Sequence, residues 1–270
     1  ESNNLWYQAG ILKVSKDGKY GLIDTNGTQI ANCEYDSINA LKGVENSLLT
    51  EKSGKLGIID NVGSVIIDNK YREIKPISTR FEDGYIVKNE DNQYGVITYT
   101  KTVAVEEKYD AIKNVYGGGK YYIVKENDNW EVVDTEGNKY LDGDYEDIIS
   151  IAGENAIIEN DGNYGVVSIT SGKNVIDIKY DSITYAEGNK YIVADNGKYG
   201  IIDDTKKILV DLKYSNISYR AASNLYEGIN KDYTSDLLDS DLNVKLSNVI
   251  VSEVNETKGY IKVRDNDTYK

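Results

Sequence analysis

The chain has no histidine and a single cysteine, Cys33. The usual base that activates a serine or cysteine nucleophile is therefore missing, and so are zinc sites built on His and Cys. What remains for chemistry is carboxylate and phenol, since the sequence holds 45 Asp and Glu and 24 Tyr. A pair of carboxylates could hydrolyse a glycoside, one as acid and the other as nucleophile or base. The densest acidic stretch is Asp142-Gly143-Asp144-Tyr145-Glu146-Asp147. Glu126-Asn127-Asp128-Asn129, Asn160-Asp161-Gly162-Asn163 and Asp239-Ser240-Asp241 offer oxygen ligands for calcium, yet none continues into a loop that ends in Glu. Asp and Asn also serve turns for backbone reasons, and solvated turn residues are the simpler reading of all four stretches. Gly117-Gly118-Gly119-Lys120 has no helix after it and does not make a phosphate cradle. The expectation is a chain without catalytic residues, metal ligands or cofactor.

Aromatic side chains are the remaining candidates for ligand contact. Trp6, Tyr7, Tyr99, Tyr116, Tyr140, Tyr185 and Tyr219 fall outside the two recurring patterns described next. Tyr185 and Tyr219 occupy equivalent places, expected in a connecting loop. Tyr185, Tyr219, Tyr116 and Trp6 are the candidate ligand-binding residues, because interfaces favour Tyr and Trp. Packing over strand ends is the competing role.

The elements that would position them come from an internal repeat. One marker reads Tyr20-Gly21-Leu22-Ile23-Asp24, Leu56-Gly57-Ile58-Ile59-Asp60, Tyr94-Gly95-Val96-Ile97-Thr98, Trp130-Glu131-Val132-Val133-Asp134, Tyr164-Gly165-Val166-Val167-Ser168 and Tyr199-Gly200-Ile201-Ile202-Asp203. A worn seventh copy is Ser235-Asp236-Leu237-Leu238-Asp239, and the spacings are 36, 38, 36, 34, 35 and 36 residues. A second marker follows each copy: Tyr35-x-x-Ile38, Tyr71-x-x-Ile74, Tyr109-x-x-Ile112, Tyr145-x-x-Ile148, Tyr180-x-x-Ile183, Tyr214-x-x-Ile217 and Leu246-x-x-Val249. Two markers in register over seven copies define a tandem array.

Each unit reads as β. An opening strand rich in β-branched and aromatic residues, such as Tyr191–Val193, meets a tight Asp-Gly or Asn-Gly turn suited to hairpins. The motif strand follows, then a polar turn, then a closing strand such as Val175–Ile178. The Tyr-x-x-Ile segment is either a short fourth strand or a docked loop. The marker aromatics Tyr20, Tyr94, Trp130, Tyr164 and Tyr199 are expected in the core. A recurrent glycine inside a strand signals a bulge or close backbone approach, and one expected use of it is room for the ring of a neighbouring unit. Helical periodicity is absent.

This pattern resembles the WG-repeat family, through Tyr20-Gly21, Tyr94-Gly95, Tyr164-Gly165 and Tyr199-Gly200, with Lys108-Tyr109-Asp110-Ala111-Ile112 and Lys179-Tyr180-Asp181-Ser182-Ile183. It departs in placing Tyr where the family often has Trp, and in Glu131 after Trp130. The resemblance spans about residues 11 to 250 and implies a β-repeat scaffold, frequent in bacterial and surface-associated proteins, with no catalytic residues. The expected fold is all-β: about seven tandem repeats of ~36 residues, each a β-meander, in one domain over residues 1–270. Units start near 11, 47, 85, 121, 156, 191 and 226, with a partial eighth strand at 260–270. Seven units and matching end strands favour a closed, propeller-like array over an open β-solenoid.

Composition bounds the partners. A net charge of −14 argues against nucleic acid, which needs clustered cations to meet phosphate. No stretch is long and apolar enough for a membrane-spanning helix. Lone Cys33 reads as a small half-buried residue. The expected function is a non-catalytic scaffold for a protein or cell-wall glycan, outside the cell or on its surface. The alternatives are a carboxylate-dependent glycosidase on a propeller-like frame and a purely structural spacer.

Overall fold

The computed structural model describes residues 10–114, 119–141, 145–265 and 268–269. These residues form strands in seven antiparallel sheets, with one 3-10 turn at Phe81–Asp83 and no α-helix among them. The chain divides into two compact units at Gly153.

The first unit holds four sheets and the strand Asp147–Ala152. Its first sheet has three described strands, Ile11–Lys16, Lys19–Asp24 and Gln29–Tyr35. The second runs Ser37–Ala40, Leu48–Lys52, Lys55–Ile59, Val65–Tyr71, and the third Glu73–Pro76, Tyr85–Lys88, Tyr94–Ile97, Val103–Tyr109. The fourth is Ala111–Ile112, Tyr121–Glu126, Asn129–Asp134 and Lys139–Tyr140. In the second unit, Asn155–Asn160, Asn163–Ser168 and Asn174–Tyr180 are followed by a sheet of Ser182–Glu187, Lys190–Asp195, Lys198–Asp203 and Ile208–Tyr214. The last sheet contains Asn216–Arg220, Leu225–Ile229, Ser235–Leu238, the long strand Val244–Asn255, Tyr260–Asp265 and Thr268–Tyr269.

The sheets are offset from the sequence repeat by one strand. In five copies the tyrosine of the Tyr-x-x-Ile marker (Tyr35, Tyr71, Tyr109, Tyr180 and Tyr214) ends a closing strand, while its isoleucine, as Ile217 does, lies on the first strand of the next sheet. The marker is thus a linking element that belongs to two sheets, rather than a fourth strand of its own unit. In the last copy the link does not break. Leu246 and Val249 share the strand Val244–Asn255, whose later half pairs with Tyr260–Asp265.

Cross-strand pairing explains why the two markers keep step. Tyr20 pairs with Tyr35, Tyr94 with Tyr109, Tyr164 with Tyr180 and Tyr199 with Tyr214. Beyond each pair the closing strand bulges: Ile201 opposes Val210, so residues 211–213 stand against Gly200 alone. A Cβ on Gly200 would meet the Val210 carbonyl oxygen at 2.6 Å, and one on Gly57 would meet that of Ile67 at 2.6 Å. The glycine therefore admits the bulged strand of its own sheet, whose atoms lie nearest to it. A ring over backbone does occur elsewhere, where Tyr214 packs on Gly228 of the following sheet.

Burial also reverses one expectation. The motif-strand aromatics Tyr20, Tyr94, Trp130, Tyr164 and Tyr199 are only half-buried, and Lys13, Lys88 and Lys113 place ammonium groups over the first three. The buried rings are Tyr35, Tyr71, Tyr109 and Tyr214 of the second marker and Tyr85, Tyr121, Tyr122, Tyr191 and Tyr226 of the opening strands. They pack with Ile, Val and Leu from consecutive sheets within each unit, as Tyr71 and Tyr85 do with Ile58, Ile67 and Val87.

Candidate functional site

The repeat uses most of its own carboxylates. At the motif-to-closing turn, Asp24 Oδ1 accepts from the backbone N–H groups of Asn26 and Thr28 at 2.8 and 2.7 Å. Asp60, Asp134 and Asp203 do the same in their turns. These donors hold the carboxyls of Asp24, Asp134 and Asp203 below the usual carboxylate range, with Thr28, Asn138 and Thr205 the chief partners. At the opposite end, Asp36 and Asp110 of the second marker accept from the hairpin N–H groups of Ser53 and Asn127 at 2.6 and 3.0 Å. A carboxylate bound in this way fixes a turn and is poorly placed to exchange protons with a substrate. Among the described residues no group of three Asp, Glu or Cys side chains converges to hold a metal ion. Asp142, Gly143 and Asp144 of the acidic stretch lie outside the described residues.

Of the four sequence candidates, Trp6 and Tyr116 also lie outside the described residues. Tyr185 and Tyr219 sit on strands, Ser182–Glu187 and Asn216–Arg220, and not in a loop as expected. Pairing with Tyr191 and Tyr226 extends those strands past the isoleucine. The Tyr219 hydroxyl has two acceptors for its single proton, Glu187 Oε2 at 2.8 Å and Asn224 Oδ1 at 2.9 Å, and its ring lies 4.8 Å from Tyr226. Tyr226 donates to the other oxygen of Glu187 at 3.1 Å, and Lys190 approaches the same oxygen at 3.2 Å. Burial, with the Glu187 charge, pushes the Tyr219 phenol up to about 12. Tyr185 packs edge-on to Tyr191 at 5.7 Å, and its hydroxyl donates to the Gly188 carbonyl. It stays 41% exposed. The structure thus brings Tyr185 and Tyr219 into one neighbourhood, with Tyr219 engaged by a carboxylate and Tyr185 half open to solvent.

A second place, in the first unit, was not singled out by sequence. The connection from linking to opening strand is a two-residue turn at Gly188-Asn189 but spans residues 41–47 in the second sheet and 77–84 in the third. These two loops bound a cavity of about 700 Å³ lined by Ala40–Glu45 and Thr79–Glu82. An adjoining cleft of about 300 Å³ is lined by Lys42, Gly43, Pro76, Ile77, Ser78, Thr79 and Asn114. Leu41 and Val44 are buried in the first loop, and Phe81 packs edge-on against Tyr99 at 4.7 Å.

The loops are anchored beneath by polar contacts. Ser47 and Tyr85 hydroxyls meet at 2.7 Å in a buried pair, and burial pushes the Tyr85 phenol up to about 12. Asn46 donates to the Tyr99 hydroxyl, which in turn donates to Asp60, each at 3.3 Å. Cavities of a few hundred to a thousand Å³ with an apolar floor and a few polar groups are the usual form of a binding site. One sequence signal was available: the 38-residue spacing, the longest in the array, contains the only Pro, Pro76 at the end of the linking strand, and the only Phe, Phe81 in loop 77–84.

The WG containing repeat matches at residues 20–43 and 165–199. No curated protein matches the sequence. Among solved structures, Kluyveromyces lactis Hsv2p is similar at 10% identity over 76% of this chain and 74% of that one, with a TM-score of 0.45. A eukaryotic initiation factor is similar at 12% identity over 93% of this chain and 77% of that one, with a TM-score of 0.48.

Proposed function

We propose that this chain is a non-catalytic repeat scaffold that binds a protein or a cell-wall glycan through its linking-to-opening loops. The observation that carries this is the cavity of about 700 Å³ between loops 40–45 and 79–82. Loops are where a rigid repeat can vary without disturbing its ladders. Here two of the lengthened loops open a cavity, while the repeat's recurrent carboxylates cap turns. The resemblance to a family frequent in surface-associated proteins supports a site of action outside the cell or on its surface.

Glycoside hydrolysis is the second reading, because Glu45 and Glu82 line the cavity from opposite loops. Both are exposed side chains, which gives neither the apolar surroundings that usually prepare a general acid. The test is to titrate the whole chain with soluble peptidoglycan fragments and with short peptides, following backbone amide shifts and product formation together. Saturable shifts at residues 40–45 and 79–82 without turnover are expected. Turnover that Glu45→Gln or Glu82→Gln abolishes would replace the scaffold by a glycosidase.

A further inference from the structure

The cavity and the cleft beside it share the wall formed by Lys42, Gly43 and Thr79. Two depressions side by side suit a ligand that is linear and runs from one to the other. The larger has an apolar floor, Leu41 and Val44, with the Phe81 ring at its edge. Charge around them departs from the rest of the chain. The sequence as a whole has 45 acidic against 31 basic residues, but the larger cavity is lined by Lys42 and Arg80 against Glu45 and Glu82. The smaller cleft has Lys42 and no carboxylate in its lining.

These cations are not equivalent. Arg80 keeps its guanidinium 3.8 Å from Glu82, whereas Lys42 has no ion pair or hydrogen bond among the described residues. Other lysines of the second and third sheets are engaged, Lys52 with Glu34, Lys55 with Glu90 and Lys75 with Glu73. An exposed, unpaired ammonium on the ridge between two depressions is placed to meet an anion that passes over it.

From the binding reading above, we infer that the occupant is an extended peptide segment of a partner protein, with apolar side chains followed directly by a carboxylate. The apolar side chains fill the larger cavity against Leu41, Val44 and Phe81. The carboxylate pairs with Lys42 on the ridge, and the segment continues along the Pro76-Ile77 wall of the smaller cleft. A neutral glycan would use the aromatic edge but leave Lys42 without a partner, so the charge pattern favours the peptide.

The experiment uses the whole chain and two blocked hexapeptides, Gly-Leu-Trp-Asp-Ser-Gly and its Lys-for-Asp counterpart, with chitotriose as the glycan probe. Amide shifts of residues 40–45 and 76–82 report occupancy, and titration gives each Kd. The Asp peptide is expected to bind about two- to fivefold more tightly than the Lys peptide, as one solvent-screened ion pair allows. Lys42→Glu should reverse that preference. Thr79→Trp, at an exposed position on the shared wall, should weaken both peptides; unchanged thermal melts show that neither variant has lost its fold.

Equal affinity for the two peptides, or a preference that survives Lys42→Glu, overturns the inference. Shifts with chitotriose and none with either peptide overturn it as well, while leaving the scaffold reading in place. Silence of these amides toward all three probes at millimolar concentration removes the cavity from both.

Discussion

Tyr214 closes one sheet and donates its hydroxyl to Asp236 in the next, at 2.9 Å and out of solvent. Its ring lies on Gly228, where a Cβ would come within 2.7 Å. Asp236 stands where five of the other units carry the motif glycine, and Gly228 is its cross-strand partner, where Val193 faces Gly200 in the sheet before. The small residue and its neighbour have exchanged strands, which makes room for a ring from the preceding sheet and supplies it with an acceptor. A related contact links Tyr71 to Glu107, a bulge residue of the third sheet, at 2.5 Å.

Tyr214→Phe keeps the ring and removes only the hydrogen bond to a charged acceptor. Asp236 retains Asn230 and the Asn248 N–H. A loss of about 1–2 kcal/mol is expected, measured by urea unfolding. Gly228→Ala should cost more, about 2 kcal/mol or above, since the added methyl meets a packed ring. If Gly228→Ala melts with the parent chain, the ring contact does not hold the sheets together.

The buried tyrosines set an alkaline limit. Burial raises the phenols of Tyr35, Tyr71, Tyr85, Tyr109, Tyr122, Tyr191, Tyr214 and Tyr226, that of Tyr85 to about 12. Below about pH 10 both folded and unfolded chains keep these protons. Above it only the unfolded chain releases them, so each such tyrosine removes about 1.4 kcal/mol per pH unit until its folded value is reached. Tm should therefore be level near neutrality and fall steeply above about pH 10. The capping carboxylates Asp24, Asp134 and Asp203, lowered in the folded state, act with the opposite sign. Their contribution is complete above about pH 4 and fades as pH falls through their folded values. A melt series from pH 3 to 11 checks both limits.

Lys101 occupies a turn position with φ +68°, where the corresponding turns of the first, second and fourth sheets have Gly27, Gly63 and Gly137. Its side chain is exposed and has no partner among the described residues. Lys101→Gly should raise stability by up to about 1 kcal/mol through relief of the left-handed backbone. A fall in Tm would show that the lysine makes a compensating contact.

Glu131 replaces the motif glycine in the fourth sheet and is 4% exposed. Lys139 lies 3.1 Å from its Oε1, an ionic contact without good hydrogen-bond alignment, and also pairs with Glu126. Lys139→Met leaves a buried carboxylate without its cation and should cost about 2–3 kcal/mol, reduced from a fully buried case because the lysine is half exposed. Adding Glu131→Gly should recover part of that loss. Additive effects in the double variant would show that the two side chains are not coupled.

The repeat, its two markers and its β character were legible in the sequence because both arise from local periodicity. A motif strand needs the same apolar alternation and the same turn-capping Asp each time, whatever lies around it. The placement of the markers was not local. That Tyr199 faces Tyr214 across a ladder, and that Ile217 belongs to the following sheet, depends on a bulge of residues 211–213 and on the offset between repeat and sheet. The role of Gly200 is likewise set by the Val210 carbonyl, which only pairing brings near. Tyr185 and Tyr219 could be named as equivalent from sequence, but their fates differ because a carboxylate, Glu187, and Asn224 hold the Tyr219 hydroxyl while that of Tyr185 donates to the Gly188 carbonyl. Lys42, Leu41, Val44 and Phe81 were invisible as a group. They lie in loops outside both markers, and they converge only because two consecutive sheets in the first unit bring loops 40–45 and 79–82 together. Periodicity fixes what each unit must be; which departures from it meet in space is decided by packing.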